Sequence, residues 1–288
     1  MDFRNGRESS NVEDRRGQGG PRVGGRGKIG IGTIVLALVA MYFGIDPSVV
    51  LDTANMVQPP AVESSQSGAP RPAAEDALAR FSSMVLADTE DTWGPIFQAA
   101  GRQYQVPRLV LFTGATRSAC GVGQAEMGPF YCPADVKLYL DLSFFDDLHR
   151  RFGAPGDFAQ AYVIAHEVGH HVQNLLGVSD KVQQARQRGS ERDGNLLSVR
   201  LELQADCLAG VWAHHADRTR QILEQGDVEE ALRAASAIGD DRIQKQSQGH
   251  VAPDSFTHGS AAQRVRWFRM GLERGEMRAC DTFAAAAL

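Results

Sequence analysis

Ala165-His166-Glu167-Val168-Gly169-His170-His171-Val172-Gln173-Asn174 contains the pattern His-Glu-x-x-His, within a stretch that predicts helix. Positions i and i+4 of a helix share one face about one turn apart. His166 and His170 can therefore offer two imidazole nitrogens to a single metal ion. Glu167 stands about 100° round the helix from His166, near enough to face a coordinated water without being a ligand. Two nitrogen ligands, a base beside the water and room for a third protein ligand are what a zinc hydrolase needs. Ala161, Val163, Ile164, Ala165, Val168 and Val172 make the helix apolar nearly all round. A buried cluster of two histidines and a glutamate needs a partner for its charge and hydrogen bonds, and a metal supplies one.

Two histidines leave such a zinc short of one protein ligand. Leu201-Glu202-Leu203-Gln204-Ala205-Asp206-Cys207 places Glu202 and Asp206 at i and i+4 of a second helix, again on one face. One carboxylate can bind the metal, and the other can accept the remaining N–H of a ligating histidine. Leu201, Leu203, Ala205, Cys207, Leu208, Ala209, Val211 and Trp212 predict that this helix is largely buried, where unpaired carboxylates are costly.

Outward from these helices, the 288 residues divide by composition. Residues 1–28 are polar and Gly/Arg-rich, with seven basic residues against four acidic ones, and read as disordered. Residues 29–45 carry no charge and read as a transmembrane signal-anchor at the short end for a bilayer span. Residues 46–72 hold Pro47, Pro59, Pro60, Pro70 and Pro72 and read as a linker. Residues 73–288 read as one folded domain. The basic residues near the span precede it, and residues 46–70 contain no Lys or Arg. The positive-inside rule then predicts a single-pass protein of the cell membrane, with a cytoplasmic N-terminus and an extracytoplasmic (periplasmic) domain. A net charge of -5, with no basic character in the folded part, argues against nucleic acid as a partner.

Within the domain, residues 74–104 predict helix, broken at Gly94-Pro95, and 106–113 a buried strand. A Gly-rich, hairpin-like stretch runs from Cys120 to Cys132. Residues 136–144 alternate apolar and polar, the pattern of a half-buried strand. The motif helix spans about 157–176 with Gly177 at its C′ position. Helices follow at about 195–217, 227–248 and 260–274, the last two capped by Asp227 and Ser260. The order is that of an α+β fold, a small antiparallel or mixed sheet with a helical C-terminal part. The 136–144 strand, or the Gly-rich stretch before it, is the candidate edge for an extended peptide. His258 precedes the last helix, where it can stabilise an oxyanion or serve structurally. Arg264, one turn into that helix, can pair with an acidic residue near the site. His171 points about 100° away from His170 and reads as a support for the site or a surface residue and not as a ligand, and His214 and His215 read as surface residues at a helix end. The four cysteines fit an oxidising compartment but allow three pairings, among them Cys120 with Cys132 and Cys207 with Cys280.

His-Glu-x-x-His followed by Glu202-x-x-x-Asp206 resembles the gluzincin metallopeptidases. More closely, the chain resembles the putative neutral zinc metallopeptidase family. The matching stretches are Glu8 to Gly17, Gly128 to Asp135, His166 to Gly177, Glu202 to Gly210, Asp254 to Ser260 and Gln263-Arg264. The resemblance implies a zincin-like domain and one zinc ion on His166, His170 and Glu202, with Glu167 catalytic and Asp206 supporting a ligand. The expected function is a membrane-anchored zinc peptidase acting on a peptide or protein of the cell envelope. The competing readings are an envelope scaffold with a structural or latent zinc, and a zinc amidase acting on a non-protein amide.

Overall fold

The computed structural model describes residues 1–3, 6–18 and 73–288. The expected span at 29–45 and linker at 46–72 lie outside them. Among the described residues no helix is long and apolar enough to cross a membrane.

The architecture is mixed α+β. Strand β1 (Val12–Asp14) is followed by helix α1 (Ala73–Ala99), then β2 (Arg108–Phe112), β3 (Ala115–Ser118), β4 (Gly121–Gln124), β5 (Phe130–Cys132) and β6 (Lys137–Asp141). Helices α2 (Ser143–Arg150), α3 (Asp157–Leu175), α4 (Val178–Arg186), α5 (Glu191–Arg220), α6 (Asp227–Ala237), α7 (Asp240–Gln248) and α8 (Ala261–Arg274) complete it. The main sheet has the order β1-β2-β6-β5, with β1, β2 and β6 parallel and β5 antiparallel to β6. The β3–β4 hairpin forms a separate two-stranded sheet. The core lies where Leu109, Leu111, Leu138 and Leu140 meet Leu86 and Trp93 of α1, Phe158 and Val168 of α3 and Trp212 of α5.

Several expectations are corrected. Residues 1–28 read as disordered, yet residues 6–18 are built into the domain. β1 pairs with β2 in the register Val12↔Leu109, Glu13↔Val110 and Asp14↔Leu111. Ser9 and Asn11 both donate to Glu90 Oε1, at 2.6 and 2.9 Å, and Arg7 reaches Glu90 Oε2 at 2.7 Å. Arg16 is buried and pairs with Asp14 at 2.8 Å and Glu75 at 3.3 Å. This order comes from polar partners on α1, far away in sequence, which no local hydrophobic period reveals.

The break expected at Gly94-Pro95 is absent. Pro95 falls in the last turns of α1, where it removes little of the ladder, and Trp93 and Phe97 on either side of it are both buried. β6 is not half-buried either. It lies between β2 and β5, so Tyr139 and Asp141 are buried as well as the leucines. The sheet edge nearest the motif helix is therefore β5, at the end of the Gly-rich stretch. The region expected as one helix at 227–248 is two, α6 and α7, and α2 and α4 were not expected. Gly177 adopts φ 72° just past α3, as its C′ position predicts. Ser260 and Gln263 form a reciprocal capping box on α8. Cys120 is joined to Cys132, and Cys207 to Cys280.

Replacing Glu90 with Ala removes the shared acceptor of Arg7, Ser9 and Asn11. Urea denaturation of the full chain is expected to show a loss of roughly 1–3 kcal/mol, the usual cost of stranding buried polar groups. An unchanged midpoint would mean that the N-terminal segment contributes no stability.

Candidate metal centre

The site depends on how closely α3 and α5 approach. A Cβ on Gly169 would meet the Ala205 carbonyl oxygen at 2.8 Å and its Cα at 3.1 Å, so only glycine allows the two backbones this near. The metal-binding candidates flank that contact, His166 and Glu202 one turn from it on their helices and His170 next to Gly169. His166, His170 and Glu202 each bring a ligand atom within 4.8 Å of the others.

The hydrogen bonds orient both imidazoles the same way. His166 Nδ1 donates to Asp206 Oδ1 at 2.8 Å, which leaves Nε2 3.2 Å from Glu202 Oε2. His170 Nδ1 donates to Gln173 Oε1 at 2.8 Å, which leaves Nε2 3.4 Å from Glu202 Oε1. Gln173 is itself fixed, donating to the Leu201 carbonyl at 2.6 Å and to Gln204 Oε1 at 3.1 Å. Two Nε2 atoms and a carboxylate thus converge with their other valences already used. Lone pairs facing one another in this way require a cation between them. Without a metal that cation is a proton: burial opposes charging of His166, but Asp206 and Glu202 outweigh it and hold the imidazole at about 10. Burial likewise opposes ionisation of Glu202, yet His170 and His166 hold it well below the usual carboxylate range. Two neutral-imidazole nitrogens and one carboxylate form a donor set that fits zinc with a coordination position to spare.

Asp206 is fully buried and accepts four hydrogen bonds. Besides His166, its donors are the Tyr162 hydroxyl and the Nε and Nη2 of Arg264, the last two both at 2.9 Å. Such pairing is what makes a buried carboxylate tolerable. Arg264 thus meets an acidic residue at the site, as its place in α8 suggested. Sequence reasoning missed Tyr162 and Gln173. Both were within reach of it, since Tyr162 lies four residues before His166 and Gln173 three after His170 on the same helix.

Glu167 is 9% exposed, and burial raises its carboxyl pKa, an effect partly opposed by His170 and His166. His258 lies within electrostatic reach of Glu202 with its side chain 53% exposed. Its Nδ1 is 3.2 Å from Asp240 Oδ1, while Asp240 Oδ2 accepts the backbone N–H groups of Thr257, His258 and Gly259 at 2.7, 2.6 and 3.1 Å. Asp240 was missed, and no helical spacing connects it to His258. His171 is fully buried, not a surface residue: it donates to the Gln105 carbonyl through Nε2 and accepts the Tyr131 hydroxyl of β5 at Nδ1, 3.0 Å away. It ties the motif helix to the sheet edge. His214 and His215, also expected at the surface, bond the Leu272 and Gly275 carbonyls at the end of α8, at 2.7 and 2.8 Å.

A family model described as "Putative neutral zinc metallopeptidase" matches residues 1–283. A protein of Escherichia coli strain K12, named uncharacterized protein YpfJ, is 52% identical over 290 residues, which cover 98% of this chain and 99% of that one. The uncharacterized proteins Mb2605 of Mycobacterium bovis and Rv2575 of Mycobacterium tuberculosis strain H37Rv are each 42% identical over 268 residues, 86% of either chain. No solved structure matches the chain.

Two outcomes follow from the geometry. Gly169→Ala forces α3 and α5 apart, and calorimetric titration is expected to show weaker zinc binding with a stability loss of roughly 1–3 kcal/mol; unchanged zinc affinity would contradict the close-approach argument. Burial pushes His171 down from 6.5 to about 4, so the unfolded chain takes up a proton that the folded chain refuses. Stability should therefore fall as pH drops from 6.5 to about 4, and less steeply in His171→Gln, when urea midpoints are compared across that window. Parallel pH profiles would count against a neutral, buried His171.

Proposed function

The chain belongs to the putative neutral zinc metallopeptidase family, and from that premise we propose that it is a zinc-dependent peptidase with a zincin-like catalytic domain, cleaving peptide bonds in peptides or proteins of the cell envelope. The observation that carries this reading is the convergence of His166 Nε2, His170 Nε2 and the Glu202 carboxylate beside a buried Glu167. A structural zinc usually takes four protein ligands and has no use for such a base.

His166, His170 and Glu202 would hold one zinc ion. When bound, zinc lowers the pKa of a coordinated water and polarises a substrate carbonyl. Asp206 and Gln173 keep both imidazoles in the ligating tautomer. Glu167 takes the proton of the attacking water and hands it to the leaving amine, a task suited by a carboxyl raised through burial. Asp240 engages Nδ1 of His258, leaving Nε2 to donate to the oxygen of the attacked carbonyl as charge develops on it. The edge of β5 offers an extended peptide backbone partners next to the motif helix, to which Tyr131 is bonded through His171 and Asn174. An envelope setting is supported by the two disulfides.

The test is Glu167→Gln in the full chain, assayed on casein or a peptide library with and without chelator. Zinc content is expected to match wild type while turnover falls by about 10²–10⁴-fold, the usual worth of a positioned base. Retained turnover would overturn the role of Glu167. A wild-type chain that holds zinc and cleaves neither substrate would favour a structural zinc. Glu202→Ala should lose the metal itself, read as zinc per chain after dialysis.

A further inference from the structure

We infer that residues 6–18 and residues 73–288 lie on the same side of any membrane the protein meets, so that the chain leaves the domain at Gln18 and rejoins it at Ala73 from one compartment. The charge pattern of the sequence predicts the opposite, with the N-terminus and the domain on different faces. The two arrangements are mutually exclusive in a folded molecule. Strands in a ladder lie about 4.8 Å apart, and the hydrocarbon core of a bilayer is about 30 Å thick.

The attachment of this segment is extensive and runs from Arg7 to Arg16. The β1–β2 ladder is extended at both ends, by Leu109 N–H to the Asn11 carbonyl at 2.9 Å and by Arg15 N–H to the Leu111 carbonyl at 2.8 Å. Upstream, the Ser9 N–H donates to Ser83 of α1, and Glu8 pairs with Arg80 at 2.8 Å. Downstream, Arg16 reaches Glu75 and Asp76 in the first turn of α1. Leaving and returning ends are thus clamped to one another. Undoing the attachment would strand the 9%-exposed Glu90, which has three partners in this segment, and would expose the edge of β2, whose Val110 and Leu111 are buried.

The same contacts bear on the charge rule. The rule weighs Lys and Arg that remain in a loop beside the membrane. Arg7 is instead paired with Glu90 and Asp91, Arg15 with Glu13, and Arg16 with Asp14, Glu75 and Asp76. Three of the seven basic residues before position 29 are thus engaged with carboxylates, which lightens the charge the rule counts. The candidate metal centre therefore lies in the same compartment as the N-terminal strand.

The test is a double variant, Glu8→Cys with Arg80→Cys, in the full chain as produced in cells. Both positions are exposed, at 52% and 69%, and their loss costs only a surface ion pair. Membranes and soluble fraction are treated with a short bis-maleimide, and the chain is then cut at a protease site inserted between residues 46 and 72. The two fragments are expected to stay joined in the double variant and to separate in either single variant. Separation in the double variant, with both cysteines still reactive toward a monofunctional maleimide, would overturn the inference. Single Ser10→Cys and Gln187→Cys chains give an independent reading: a membrane-impermeant maleimide is expected to label both in intact cells or neither. Labelling of one alone would also overturn it.

Discussion

The close contact of α3 and α5 at Gly169 is the constraint on which the candidate centre depends. Neither helix can form the donor set alone, since one carries the two histidines and the other the carboxylate. At a spacing set by any larger residue, Glu202 would stand off from the imidazoles. The contact is reinforced from behind, where α5 packs still more tightly on α8: a Cβ on Gly271 would fall 1.9 Å from the Cys207 carbonyl oxygen, and one on Gly210 2.1 Å from that of Phe268. The Cys207–Cys280 bond fastens the segment after α8 to the same turn of α5. Three helices are therefore held at backbone contact around one buried charge network.

That network has a clear electrostatic logic. Asp206 carries a charge in the interior, and Arg264 supplies the opposite one. Tyr162 and His166 take its remaining lone-pair positions. Replacing such a cluster with apolar residues often costs little stability, so its retention here is better explained by what it does to His166. It fixes the tautomer, turns Nε2 toward Glu202 and makes the imidazole a stronger base, all of which favour metal ligation. His170 is oriented by a neutral partner, Gln173, so the two ligating candidates differ in basicity. Glu167 stands apart from these bonds, buried and with its carboxyl pKa raised. A proton acceptor that must later release its proton gains from being left unpaired.

How much of this was legible depended on the distance over which each signal acts. His166, Glu167 and His170 were readable because helical spacing is local, and Glu202 with Asp206 because two carboxylates on a buried helix need a reason. Tyr162 and Gln173 obeyed the same local rule. Asp240 could not be read, because its partnership with His258 is made by loop closure across eighteen residues. β1 was illegible for a stronger reason: a three-residue strand has no period, and its support comes from Glu90 and Ser83, more than seventy positions away. β6 misled because alternation reports one buried face, whereas Tyr139 and Asp141 are buried on the other by Phe130, stacked at 4.8 Å, and by the turn at Gly114. Prolines and polar composition predicted breaks and disorder at Pro95 and at residues 6–18, where tertiary contacts prevailed.

The central claim is that His166, His170 and Glu202 hold zinc. X-ray absorption at the zinc edge on the purified full chain tests it most directly, because it reports ligand type without requiring a substrate. All four cysteines are engaged in disulfides, so no thiolate is available to the metal. The account predicts one zinc per chain, with imidazole scattering from two histidines and only nitrogen or oxygen neighbours at about 2.0–2.2 Å. A chain that retains no zinc, or a sulfur shell at about 2.3 Å, would contradict it.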